Sequence, residues 1–333
     1  MGPLSSAIGV VALIVLAALA GASEPGRVVL GLVIPYAALA TFLAGICYRL
    51  VQWALAPVPF RIPTTCGQQK SLPWIKSARL DNPSTGLGAV GRMALEVLLF
   101  RSLFRNNQAE LYERRFVFGD SKYLWLGALA FHWSLLIVLL RHLRLPVEPV
   151  PQFVLALNAV DGFFQIGAPV LYLSNLIVLG ALVYLLLRRW RDPQLRYISQ
   201  FSDYFAPLLL LGIAVSGMLM RYGAGADVVA VKRFAIGLAT FQPVLPEGLG
   251  LLFWIHLLLV SALAACFPFS KLMHMGGVFL SPTRNLANNS RIKRHINPWN
   301  YPVKTHTYAE WEHEFHDKIK AAGIPLDEEQ KNG

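Results

Sequence analysis

Six apolar stretches of about 16 to 25 residues dominate this chain, the length that a helix rising about 1.5 Å per residue needs to cross about 30 Å of hydrocarbon. They run roughly from Ser5 to Gly21, Val28 to Leu50, Tyr123 to Leu143, Ala168 to Leu187, Phe201 to Met220 and Leu249 to Met273. Of 333 residues, 55% are hydrophobic and only 15% are charged. The fold class that follows is an all-α integral membrane protein, a six-transmembrane-helix bundle. The first stretch lacks a basic flank, and the second resumes after the turn-like Ser23-Glu24-Pro25-Gly26-Arg27. That favours a helical hairpin over a cleaved signal peptide, with a signal anchor as the competing reading.

The 30 Lys and Arg give a formal net charge of +11, which in a soluble protein would raise the question of nucleic acid. Their placement answers it differently. Nine fall between Val51 and Asp120, four between Arg188 and Gln200 and nine from Lys271 onward, against one, two and three in the alternate loops. That asymmetry of 22 to 6 predicts both termini and the basic loops in the cytoplasm. The chain divides into an N-terminal hairpin (1–50), a basic loop (51–120), a four-helix core (121–275) and a tail (276–333).

Three cysteines, Cys47, Cys66 and Cys266, have no paired spacing and no Cys-x-x-Cys-His, which argues against covalent c-type haem and Cys-ligated iron–sulfur clusters within the chain. No nucleophile, metal-activated water or acid–base pair argues for hydrolysis or group transfer. Redox chemistry, if present, falls to histidine.

Of eight histidines, four lie within or at the ends of the apolar stretches: His132 and His142 on the third, His256 and His274 on the sixth. Ionisable groups at membrane depth are functional candidates by default. With the third helix running outward and the sixth inward, His132 and His274 form an inner pair, and His142 and His256 an outer pair. Each pair is placed to clamp one b-type haem iron between antiparallel helices. The ten-residue spacing covers about 15 Å of helix and the eighteen-residue spacing about 27 Å, so a bend at Pro268 or a tilt must absorb the difference. A transporter with titrating histidines is the reading from another class.

Arg141, Arg144 and Lys271 flank these sites as possible propionate contacts, or as interfacial anchors that snorkel. A quinone needs a polar group beside an apolar slot. Asp161 and Gln165 are the candidates, with Ser174 and Asn175 as alternatives, against a plain reading of loop acid and helix-cap amide. Within the basic loop, Met93, Val97, Phe100 and Phe104 recur at helical spacing, predicting an amphipathic helix on the membrane or a partner. Cys66 reads as a surface or partner-facing thiol. In the tail, His306, His313 and His316 read as part of a solvated helix, with a metal site as the alternative, and His295 as interfacial.

Histidines ten apart on one helix and eighteen apart on a later one, followed by a basic tail, resemble the gamma-subunit family of respiratory nitrate reductase. By that likeness His132 and His274 would hold the inner haem, and His142 and His256 the outer. The segment Ile62-Pro63-Thr64-Thr65-Cys66-Gly67-Gln68-Gln69-Lys70-Ser71-Leu72 and the tail around Asn297-Pro298-Trp299 resemble, within it, the cytochrome b subunits of membrane complexes linked to dissimilatory sulfite reductase. The resemblance implies two haem b and a quinone, menaquinone for preference, in a bacterial or archaeal inner membrane. It also implies a heterodisulfide-reductase-like (DsrK-like) iron–sulfur subunit on the cytoplasmic side, and other membrane and periplasmic subunits of the Dsr complex, including a c-type cytochrome. Anchors of nitrate reductase, hydrogenase or formate dehydrogenase type are the alternatives.

Overall fold

The computed structural model describes residues 2–56, 78–164, 169–281, 285, 287 and 304–327. Among the described residues, six helices are long and apolar enough to cross a bilayer. They are α1 (Gly2–Gly21), α2 (Glu24–Leu55), α4 (Lys122–His142), α6 (Leu173–Arg191), α7 (Phe201–Ala224) and α9 (Leu251–Phe269). Between them lie α3 (Gly86–Leu99), a hairpin of β1 (Asn107–Tyr112) and β2 (Arg115–Asp120), α5 (Gln152–Asp161) and α8 (Val228–Ala239). Two more follow α9, α10 (His274–Leu280) and α11 (Tyr308–Ala321).

The membrane-length helices pack in a row, α4 on α6, α6 on α7, α7 on α9 and α9 on α2, with α1 laid against α7 and α9. Helix α1 buries Ser6, Val10, Ala17 and Gly21 and turns Leu4, Ile8, Val11 and Leu19 outward. Such a face suits lipid, where close packing rather than hydrophobic expulsion holds helices together. The link to α2 is tight: Ser23 caps Gly26 N, and Arg27 Nε donates to Gly21 O at 2.8 Å. Gly45 of α2 faces Pro268 so closely that an added Cβ would lie 2.6 Å from the ring, so only glycine permits this approach.

The sixth apolar stretch is not one helix to Met273. Regular α-helix ends at Cys266, Phe267–Phe269 tightens into a 3-10 turn around Pro268, and Ser270 is extended (φ −109, ψ 174). Pro268 removes a helical N–H, and its own carbonyl accepts from Arg49 Nε of α2 at 3.0 Å instead. His274 therefore opens the separate helix α10, and the eighteen residues from His256 are not a straight ladder.

Because successive spans alternate in direction, the α2–α4 loop, the α6–α7 link and α10 lie at one end, called here the basic end, and α5 and α8 at the opposite, distal end. In the basic loop, the expected amphipathic helix stops at Leu99, because Phe100 is left-handed (φ 49, ψ 47), and a short helical turn, Arg101–Phe104, follows. The hairpin after it, absent from the sequence reading, turns through Glu113 and Arg114, both with positive φ (45 and 67), as a two-residue reversal requires.

Asp81 Oδ1 ties this turn by accepting from Arg101 Nη1 at 2.6 Å and Arg105 Nη1 at 2.5 Å. These bonds hold its carboxyl down from 3.8 to about 2. A carboxylate depressed on folding stabilises fully above its unfolded value and loses that contribution as pH falls through its folded one. Amide protection factors across residues 81–105, referred to intrinsic exchange at each pH, should therefore fall as pH drops from about 4 toward about 2 in the wild type. The effect should be small, because the Asp81 side chain is 40% exposed, and absent in Asp81→Asn.

Candidate redox site

His132, midway along α4, and His274, at the start of α10, come into ring contact. Their ring centres are 5.9 Å apart and their planes at 85°. His132 Nδ1 lies 2.7 Å from Ala128 O, and His274 Nδ1 lies 2.7 Å from Lys271 O. A carbonyl only accepts, so each Nδ1 donates and each Nε2 is the free lone pair, the arrangement by which second-shell bonds prepare a metal-ligating histidine. Two metal–nitrogen bonds of about 2 Å would space the ring centres by roughly 6 Å. The pair fits an iron bound from both sides.

At the distal end the same tautomer recurs. His142 Nδ1 donates to Val138 O at 2.7 Å. His256 Nδ1 lies 3.0 Å from Ser216 Oγ, whose own hydroxyl donates to Ile213 O at 3.1 Å, so the histidine is the donor in that chain. His142 and His256 are within electrostatic reach of each other. Gly217 lets α7 approach: a Cβ there would lie 3.2 Å from His256 Cε1. All four imidazoles thus have Nδ1 engaged and Nε2 left as a ligand atom, His132 and His274 in ring contact and His142 and His256 at the distal ends of α4 and α9. This donor set fits two b-type haems. Ser216→Ala should weaken distal haem retention about 10- to 100-fold, the usual cost of losing such a second-shell bond. Haem loss on dilution into apomyoglobin measures it; unchanged retention would show that Ser216 does not orient the ring.

The basic loop closes over the first pair. Trp125 Nε1 donates to Leu99 O at 2.7 Å and Trp133 Nε1 to Leu98 O at 3.0 Å, so two indoles of α4 cap the carbonyl end of α3. Phe100 then meets His132 edge-on at 5.0 Å. Buried Glu96 accepts from Ser102 N at 3.1 Å and from Ser102 Oγ, holding the chain beyond the left-handed residue. Lys271 pairs with Asp203 at 2.6 Å, which fixes the turn whose carbonyl holds His274.

Arg141 and Asp161, assigned separate roles from sequence, are bonded to each other. Arg141 Nη1 meets Asp161 Oδ2 at 2.7 Å with both side chains buried, and it also reaches Ser174 Oγ at 3.1 Å. Asp161 Oδ1 accepts from Ser174 N at 2.7 Å and Oδ2 from Ser174 Oγ at 2.6 Å. Arg141 Nε takes Asn158 Oδ1 at 3.0 Å, and the guanidinium lies 3.3 Å over Tyr172. The carboxylate thus serves the arginine before any quinone. Arg144 stays beside His142.

The family profile described as nitrate reductase gamma subunit matches residues 93–295, a span that contains all four histidines. The chain belongs to this family. A protein of Archaeoglobus fulgidus described as an Hdr-like menaquinol oxidoreductase cytochrome b-like subunit is 46% identical over 279 residues, 82% of this chain and 83% of the relative. One of Archaeoglobus profundus, with the same description, is 43% identical over 273 residues, 80% of this chain and 81% of the relative.

Within this gamma-subunit family chain, Gln165, Cys66, His295 and the segments Ile62 to Leu72 and Asn297 to Trp299 lie outside the described residues. His306 contacts Glu314 at 3.4 Å, and no cluster of three potential metal ligands forms among the described residues. Sequence reasoning passed over Ser216, Gly217 and Arg221, and read Phe100 only as one position of an amphipathic helix. The adjacent Ser216-Gly217 and Arg221, the cation directly after the fifth apolar stretch, were the available signals. Nothing local marked Phe100 for the site, because a left-handed aromatic residue is held only by tertiary contact.

Proposed function

We propose that this chain is the dihaem cytochrome b subunit of a membrane respiratory complex, carrying electrons between menaquinone and a cytoplasmic heterodisulfide-reductase-like iron–sulfur subunit. The observation that carries this reading is the His132–His274 pair, 5.9 Å between ring centres with both Nδ1 atoms already spent on carbonyls. Haem b, when bound, supplies one-electron transfer. The chain's own residues would do the rest: His132 with His274, and His142 with His256, would hold the two haems, and Phe100 would shield the first from the cytoplasm.

The positive-inside count supports a cytoplasmic basic end, and the menaquinol named in the relatives' descriptions supports a quinone, for which Asp161 of the distal network and, by sequence alone, Gln165 are the candidates. The likeness of Ile62 to Leu72 and Asn297 to Trp299 supports a DsrM-like subunit in dissimilatory sulfur metabolism, with a DsrK-like partner, other membrane and periplasmic Dsr subunits and a c-type cytochrome.

A reduced-minus-oxidised spectrum of the purified chain should show a b-type alpha band with about two haems per chain, the number that two bis-imidazole pairs would hold. The complex from native membranes should be reduced by a menaquinol analogue. A preparation free of b haem would end the cytochrome reading; haem that no quinol reduces would end the quinone reading alone.

A further inference from the structure

The distal network holds more positive charge than it neutralises. Arg141 and Arg221 both lie over the Tyr172 ring, at 3.3 and 4.4 Å, and the carboxylate among them, Asp161, is already bonded to Arg141 and Ser174. Nearby acids are engaged elsewhere: Asp227 caps the start of α8, and Glu148 pairs with Lys232.

Arg221 Nη2 donates to Val170 O at 3.2 Å, but its Nε is buried without a hydrogen-bond partner among the described residues. The Tyr222 hydroxyl cannot serve it, since it already accepts from Tyr172 N at 3.2 Å and Asn175 Nδ2 at 3.2 Å. A buried guanidinium N–H left open calls for an acceptor, and an excess of cation calls for an anion.

Position says which anion. Arg221 is four residues beyond Gly217 on α7, about one turn nearer the distal end, where regular α-helix gives way to the wider π turn Met220–Ala224, and Gly217 is the residue packed on His256. The arginine therefore stands at the rim of whatever His142 and His256 hold. We propose that Arg221 anchors a carboxylate of that group, a propionate of the distal b haem, through the open Nε–H. The inference rests on the proposed function for the haem itself. It moves the propionate role from Arg141, which Asp161 occupies, to a residue on another helix.

Potentiometric titration of the full chain in membranes tests it. A cation beside the haem favours the ferrous form, so Arg221→Gln should keep two haems and lower the distal midpoint by about a tenfold change in the reduced-to-oxidised ratio, about 59 mV for one electron. The freed propionate should also make that midpoint more dependent on pH between about 6 and 8, a signature that loss of packing does not produce. Arg221→Lys should recover most of the midpoint. Tyr222→Phe, which disturbs the same loop without removing charge, should leave it at the wild-type value.

An unshifted distal midpoint in Arg221→Gln with both haems bound overturns the inference and leaves Arg221 a loop fastener or a site for lipid phosphate. An equal shift in Tyr222→Phe, or in the haem of His132 and His274, overturns it as well. Should Arg221→Gln not accumulate, Arg221→Lys still decides, because the propionate bending band in resonance Raman should move, and an unmoved band sinks the assignment. Wild-type chain lacking haem would instead remove the proposed function, so the two failures are distinguishable.

Discussion

Alanine at His256 should take the chain from two b haems to one, and the haem that remains should be the one held by His132 and His274. The reasoning is local. His256 is oriented by Ser216 on α7, His142 by Val138 on α4, and neither bond involves the other pair. With one of its two imidazoles removed, a haem at the proposed distal site would keep a single protein ligand, while the basic-end pair keeps both carbonyl bonds and its cover by Phe100. His142→Ala should give the same phenotype, and His132→Ala or His274→Ala the converse.

Haem per chain by pyridine haemochrome, with a potentiometric titration to show which wave has gone, measures the effect. Loss of both haems from either distal substitution, or retention of both, would break the pairing. Because His274 lies on α10 beyond the break at Ser270 rather than in α9, its substitution should cost the bundle less stability than that of His256, which packs beside Gly217.

The six spans and the four histidines were legible because their signals are local. Hydropathy over 20 residues and a count of histidines need no partner to be read. Pro268 was legible as a bend, but its outcome was not: only Arg49, from another helix, accounts for the carbonyl that the proline exposes, and only Ser270 shows that the chain starts afresh. Arg141 and Asp161 could be singled out as charges beside the outer histidines, yet their pairing closes across 20 residues and a loop. Phe100 was placed on the right face of a helix that ends one residue before it, since the indole caps from Trp125 and Trp133 overrule its local preference. Arg221 was counted with the loop cations although it completes the distal network.

Asp161→Leu should destabilise the distal end by about 3–5 kcal/mol, the cost of leaving one member of a buried ion pair without its partner. The Arg141 and Asp161 side chains are only 10% and 6% exposed, so solvent cannot replace the lost charge. The same substitution strips acceptors from Ser174 N and Ser174 Oγ, adding unsatisfied donors at membrane depth. Asp161→Asn keeps the shape and part of the hydrogen bonding and should fall between. Replacing both partners, Arg141→Met with Asp161→Leu, should recover much of the loss, because well-packed apolar side chains avoid the desolvation that the pair must offset.

Thermal unfolding in detergent of the wild type, Asp161→Leu, Arg141→Met and the double variant, read as a double-mutant cycle, gives the coupling. A single-mutant effect within about 0.5 kcal/mol, the range of an ordinary surface substitution, would mean that the pair does not act as a unit. The series also separates the two roles open to this carboxylate. If Asp161 exists to hold Arg141, quinol oxidation in Asp161→Asn should decline with stability and return in the apolar double variant. If it receives a proton from quinol, activity should be lost in both while the double variant remains folded.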